Sequence, residues 1–419
     1  MSATTRTRRS VLGTAAAAAA AAGLPTAAFA ADPIKIGFGM QLTGPLAGNG
    51  KAALVGAQIW ADEINGKGGL LGRKVELVVY DDQSNPGMVP GIYTKLLDVD
   101  KVDLLLANNT NQTMPAMPLV IQRGRLMMGM FALAVNEQFK YNKYFQIQPY
   151  GPNGKDALTR GYFVNAMKLN PKPTSIALIG ADAEFSKNAL EGARRTAKEL
   201  GLKIVYDRVY PPTTVNFTPV LKAVQAAQPD LVFIGSYPSD TVGMIRTARE
   251  IKLEPKVFGG AMVGTQYATI KQQLGPELNN VVSFEQYIPE PTVKFPGIEE
   301  VLKVYQAKAK EQGTDPLGYY VPAFVYAALQ VLGEAVTKTG GVDQDKLADY
   351  MHKTPFKTVI GDIKFGADGE WAEPRMFTVQ HRGISGNGIE QFTQPGRAVI
   401  LYPDTYKSGD LVAPFVPAN

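Results

Sequence analysis

The sequence predicts an α/β protein made of two doubly wound lobes, on three observations. Strand, helix and strand patterns alternate in two separate series, one starting near residue 34 and the other near residue 175. The strands are apolar on both sides, as strands of a parallel sheet covered on both faces are. About 390 residues follow a leader-like N-terminus, more than one hydrophobic core usually serves.

The first series opens with an apolar run at 34–38 and a turn-rich segment holding Gly44, Pro45, Gly48, Asn49 and Gly50. Leu54, Ala57, Ala61 and Ile64 then recur at helical spacing, and Gly66, Gly68 and Gly69 stop the helix. The run 74–80, KVELVVY, returns as a strand ending in Asp81-Asp82. Strand, helix and strand make one βαβ unit, whose crossover is right-handed. A strand at 102–107, a helix at 114–123 and a strand at 126–130 continue the series, and 144–149 leaves the lobe. After Pro171-Lys172-Pro173 the second series places strands at 175–179, 203–210, 231–234 and 256–259, alternating with helices at 186–200, 217–228 and 239–251. Two long helical patterns follow, 295–312 and 319–339, with Pro322 in the first turn of the latter, where a missing N–H is tolerated.

The N-terminus reads as an export signal. Thr7-Arg8-Arg9-Ser10-Val11-Leu12 resembles a twin-arginine motif, the alanine stretch 15–22 is too short to span a bilayer, and Ala28-Phe29-Ala30 is an A-x-A cleavage site. Residues 1–30 are therefore expected to be removed, leaving a periplasmic protein exported by the twin-arginine route. With no cysteine there is no lipid-anchor site, disulfide or thiolate metal site. No later run approaches the length of a membrane span. Loss of Arg6, Arg8 and Arg9 lowers the net charge from +5 to +2, which offers no nucleic-acid footprint.

Nothing in the chain reads as catalytic. There is no G-x-S-x-G, no GxxxxGK[ST] and no H-E-x-x-H, and the two histidines, His352 and His381, are expected at the surface. Asp81-Asp82, at a strand's end, is expected to fix local loops rather than to do acid–base work. The segment Asn108-Asn109-Thr110-Asn111-Gln112-Thr113 lies between a strand and a helix. It offers amides, hydroxyls and free N–H groups at a positive helix end, chemistry suited to a carboxylate. The plainer alternative is ordinary helix capping.

Thr43-Gly44-Pro45, Asp62-Glu63-Ile64-Asn65, 68–73 (GGLLGR) and Asp81-Asp82 together resemble the opening of periplasmic solute-binding proteins of the branched-chain amino acid and amide-binding group, and the match runs in order to about Phe377. The resemblance implies two Rossmann-like lobes of the type I periplasmic binding class, joined by a three-segment hinge that closes like a Venus flytrap. It implies an N-terminal lobe of 31–148 and 285–360, a C-terminal lobe of 149–284 and 361–400, and a surface extension over 401–419.

The same resemblance nominates the ligand contacts. Thr110 stands where the family has its key hydroxyl, with Asn109 beside it and Asn49 as a further polar contact. The stretch Met130-Phe131-Ala132-Leu133 matches where amino acid binders carry an Ala-Thr pair, with Leu133 in place of the hydroxyl. Ala261, followed by Met262, stands where they carry the glutamate that meets the ligand ammonium, and Phe185 stands in place of a tyrosine. Tyr237 matches a cleft tyrosine. A buried ammonium without a carboxylate is costly, so the expected ligand is a small organic acid, aromatic or otherwise apolar beyond its carboxylate. Glu285 or Asp182 could supply the missing carboxylate. The expected setting is a monomer with no cofactor, serving an ABC permease. The alternatives are an amino acid or amide binder, or a ligand sensor on the same fold.

Overall fold

The computed structural model describes residues 32–415, so the export signal expected over 1–30 lies outside the described residues. Strand β1 (Ile34–Met40) leads into helix α1 (Ala47–Gly66), followed by β2 (Val75–Asp81), α2 (Val89–Thr94), β3 (Leu104–Asn109), α3 (Thr110–Gln122), β4 (Met127–Phe131), α4 (Val135–Phe139) and β5 (Tyr144–Gln146). The five strands form a parallel sheet in the order β2-β1-β3-β4-β5. Alternation along β3 divides its side chains between two layers. Leu104 and Leu106 join Ala53, Trp60 and Leu329 on one side, while Leu105 and Ala107 join Tyr93, Met117 and Val120 on the other.

The chain then crosses to a second sheet through α5 (Gly154–Ala166), β6 (Ser175–Ala181), α6 (Glu184–Glu199), β7 (Lys203–Tyr210), α7 (Thr218–Ala226), β8 (Leu231–Ser236), α8 (Pro238–Glu250), β9 (Val257–Met262), α9 (Ala268–Leu274) and β10 (Val281–Glu285). It returns to the first sheet with α10 (Ile298–Gln312), α11 (Pro322–Thr339) and α12 (Gln344–Lys353). α11 packs on α1 so closely that a side chain at Gly56 would meet the Pro322 carbonyl at 2.5 Å. A short hairpin, β11 (Phe356–Thr358) and β12 (Gly361–Ile363), precedes the last crossing to β13 (Phe377–His381) and β14 (Ala398–Tyr402). These two add antiparallel to the second sheet, whose order is β14-β13-β10-β9-β8-β6-β7. The architecture is the two-lobe, doubly wound α/β fold expected, with three crossings.

Several local expectations change. α1 begins at Ala47, so Asn49 and Gly50 are helical rather than part of a loop; a side chain at Gly50 would meet the Gln41 carbonyl at 2.0 Å, so glycine lets the first turn press onto the end of β1. β9 continues through Gly259 and Gly260 to Met262, because β10 and Phe233 approach where side chains would stand, at 1.8 and 2.7 Å. Residues 361–371 stay beside the first sheet: Gln146 N–H donates to the Gly369 carbonyl at 3.0 Å and Trp371 Nε1 to that of Ile147 at 2.9 Å. The C-terminal run is no loose extension over its described part, since Phe415 is buried and stacks on Phe258 at 4.6 Å beneath the Arg249 guanidinium. His381 is buried because β13 lies between β10 and β14, and burial pushes its pKa down to about 3.

Candidate functional site

In doubly wound sheets ligands gather beyond the carboxyl ends of the strands, where the strand order reverses. In the first sheet that point lies between β1 and β3, at Gln41 and Asn108–Thr110; in the second it lies between β6 and β8, at 182–185 and Tyr237. The two points face each other. The Tyr237 hydroxyl donates to Asn111 Oδ1 at 3.2 Å across the lobes. Lower down the cleft mouth, Asn111 and Pro115 stand opposite Asp182 and Lys187.

The first-lobe wall is held by a chain of polar groups. Asp81 accepts from the N–H groups of Leu42, Thr43 and Gln83 at 3.0, 3.2 and 2.8 Å and from the Thr43 hydroxyl at 2.6 Å. Desolvation opposes its ionisation, but these donors outweigh it and hold its carboxyl below the usual range. Asp82 accepts from Gln41 Nε2 at 2.8 Å and from Ser84 N–H at 2.9 Å, and burial pushes its pKa up to about 6. Gln41 Oε1 in turn accepts from Asn108. The acidic pair therefore fixes loops.

Asn109 is the N-cap of α3, its Oδ1 accepting from Asn111 N–H at 3.0 Å. Thr110 is fully buried, and its Oγ1 accepts the Leu133 N–H at 2.9 Å, which ties the ends of β3 and β4 together. As an acceptor there, the hydroxyl still has its own proton to donate. Phe131 packs on Tyr320 at a ring separation of 5.3 Å, and Tyr320 packs on Tyr267 at 5.6 Å. Phe185 meets Tyr237 edge-on at 6.1 Å. Asp240, at the start of α8, holds the Tyr237 N–H at 2.6 Å and so sets where that ring points.

Of the residues singled out from sequence, Asn109, Thr110, Phe131, Phe185 and Tyr237 surround the facing strand ends, and Asn49 reaches them through Tyr267, whose hydroxyl lies beside its amide. Leu133 lies near Gly154 and Tyr150, toward the base of the crossing. Ala261 and Met262 are the last two residues of β9, both buried, rather than loop residues, and the Met262 carbonyl accepts the Thr265 hydroxyl at 2.8 Å. Sequence reasoning missed Tyr320, Tyr267, Gln148 and Gln266. The only hint was aromatic and amide residues beside crossing points, which become neighbours only when three distant segments meet.

Asp182 is 56% exposed and pairs with Lys187 at 3.4 Å. Glu285, fully buried, meets Lys271 Nζ at 2.6 Å, and burial, opposed by Lys271, pushes its pKa up to about 7. Glu370 is buried with neither oxygen paired, close to Tyr144 and Tyr150, and burial raises its pKa well above the usual range. Among the described residues no group of acids and histidines could hold a metal ion, and no helix is long and apolar enough to cross a membrane.

Comparison with known proteins agrees with the geometry. A family model described as periplasmic binding protein matches residues 33–386. The chain is 24% identical over 356 residues to the leucine-, isoleucine-, valine-, threonine- and alanine-binding protein of Pseudomonas aeruginosa, covering 84% of this chain and 91% of that one. Two solved structures share the fold. One is the branched-chain amino acid transporter substrate-binding protein LivJ of Streptococcus pneumoniae with isoleucine (TM-score 0.71, 21% identity, 88% of this chain and 100% of that one). The other is a solute-binding protein of an ABC transporter from R. palustris with benzoate (TM-score 0.71, 16% identity, 92% and 97%). These relatives and fold neighbours are binding proteins, not enzymes.

Proposed function

Because this chain belongs to the periplasmic binding protein family, and is thus an ABC-type solute-binding protein of the leucine-binding group, we propose that its ligand is a small organic acid with an aromatic or otherwise apolar body. The observation that carries the ligand class is the state of the acids near the aromatic wall. Glu285 is countered by Lys271, Asp182 is exposed and paired with Lys187, and Asp315 takes the N–H groups of Ala268, Leu317 and Gly318 at 2.7, 3.2 and 2.9 Å. A ligand ammonium closed in beside them has no spare counter-charge, and burying it costs several kcal/mol, on the order of the penalty for an unpaired buried ion.

The carboxylate would take the Thr110 proton and the positive end of α3, and Phe131, Phe185, Tyr237 and Tyr320 would enclose the body. Ligand contacts to both lobes would favour the closed population, and an ABC permease would receive the closed monomer. Calorimetry against aromatic and aliphatic acids, leucine, valine and phenylalanine tests this. Tight binding of a free α-amino acid, with no response to its deaminated counterpart, overturns it.

A second reading, an amino acid or amide ligand, is favoured by Glu370. Burial holds that unpaired carboxyl protonated, so a ligand amide would hydrogen-bond it as it stands, and a ligand ammonium would pair with it by displacing its proton. Export by the twin-arginine route is also proposed, from Arg8-Arg9. Replacing both with lysine should abolish periplasmic accumulation, and unchanged yield in a host lacking that route rejects it.

A further inference from the structure

Four side chains gathered about Tyr320 have hydrogen-bonding capacity unmet. The Tyr320 hydroxyl lies beside Gln148 and Gln266, yet both atoms of each of these buried carboxamides lack a partner of good geometry. The Tyr267 hydroxyl and Asn49 Oδ1, next to each other, are likewise buried and unpaired. The group is drawn from every moving part: Asn49 and Tyr320 pack with the first sheet, Gln266 and Tyr267 follow β9 in the second, and Gln148 is on the first crossing. Buried polar groups are almost always satisfied, so a cluster left open at the meeting of two lobes marks where a ligand's own polar atoms belong.

Its chemistry is specific. Carboxamides and phenols both donate and accept, and the cluster itself carries no charge. A carboxylate would find only half of that capacity useful, and an ammonium only the other half. We infer that this end of the cleft binds an uncharged group that both donates and accepts, a hydroxyl or a primary amide. The ligand then has an acidic end at α3, an apolar middle and a neutral polar end between Gln148, Gln266 and Tyr267. This rests on the organic-acid reading above and narrows it to hydroxylated or amidated acids.

Matched probes test it on the mature protein: benzoate against 4-hydroxybenzoate, and hexanoate against 6-hydroxyhexanoate, by titration calorimetry. A site built to hydrogen-bond a hydroxyl rejects the analogue lacking it, so at least one pair should show a preference of roughly tenfold or more for the hydroxylated member. Gln148→Met and Gln266→Met, checked for native melting, should reduce that preference, read as the ratio of the two affinities within each pair, to about threefold or less. Equal or better binding of the unhydroxylated member in both pairs overturns the inference with no variant needed, as does a preference that survives both substitutions. If none of the acids binds and a free amino acid does, the organic-acid reading fails first.

Discussion

Thr110→Val separates two jobs that the structure assigns to one hydroxyl. Its oxygen accepts the Leu133 N–H at 2.9 Å, and both residues are fully buried. Valine keeps the shape and strands that N–H, which should cost about 1–3 kcal/mol of stability, read as a lower urea midpoint at unchanged slope. The proton the hydroxyl would give to a ligand carboxylate is a separate loss. A hydrogen bond to a charged group contributes about 1.5–3 kcal/mol, so affinity for the best acid should fall about ten- to hundredfold. Thr110→Ser keeps the oxygen and removes only a methyl, so it should lose about 0.8 kcal/mol of stability and little affinity. Calorimetry of all three proteins, at a urea-free temperature where each is folded, gives the answer. A Thr110→Val protein that is less stable but binds the acid as well as the parent would show the hydroxyl to be purely structural and refute the anchor.

Three further outcomes are expected. Tyr237→Phe removes the interlobe bond to Asn111, worth about 0.5–1.5 kcal/mol, so the unliganded protein should spend less time closed; small-angle scattering should report a larger radius of gyration, and an unchanged radius counts against the bond as a latch. Lys271→Met should cost about 3–5 kcal/mol at pH 7.5 by leaving Glu285 buried without its partner, and Lys271→Met with Glu285→Gln should recover part of it. Glu285, at about 7, holds in the folded state a proton that the unfolded chain releases near 4.5, so its contribution makes stability fall as pH rises through that window; the Lys271→Met penalty should accordingly be smaller at pH 5. Phe415→Ala should cost about 3–5 kcal/mol if the stack on Phe258 seals the second core, and a change under 1 kcal/mol would mean it does not.

The repeating units were legible because their signals are local. The run 34–38 reads as β1, the stripe Leu54, Ala57, Ala61, Ile64 as α1, and KVELVVY as β2, since the type of each element follows from local spacing; the depth does not, for Leu54 and Ile64 are only half-buried. α5 escaped notice: its apolar residues form no strong stripe, and its N-cap, Asn153, takes a left-handed conformation no motif announces. His381 reads as exposed because it sits beside Arg382 near a glycine-rich turn, and nothing local says that β14 covers its strand's far edge. Thr110 and Tyr237 could be named from strand-end position. Tyr320, Gln148 and Gln266 could not, because nothing along the chain says that the residue two before Pro322 meets one just after β5 and another after β9.

The three crossings have a consequence for how the chain reaches its native state. α1, near the start, buries its inner face against α11, which begins at Pro322, and β4 is tied from its entry at Leu126 to Gln344 at 2.7 Å. The first lobe is therefore discontinuous, and everything through β5 must wait with an uncovered apolar layer until more than half of the remaining chain has been made. The second sheet, by contrast, can assemble its β6-to-β10 core as soon as that stretch emerges, which makes it the natural first structure. A single cut between lobes cannot yield two self-sufficient pieces: an isolated first lobe would need 32–148 joined directly to the α10–α12 segment, and any nascent or arrested chain ending before α11 carries an exposed layer for chaperones, or for its own copies, to find.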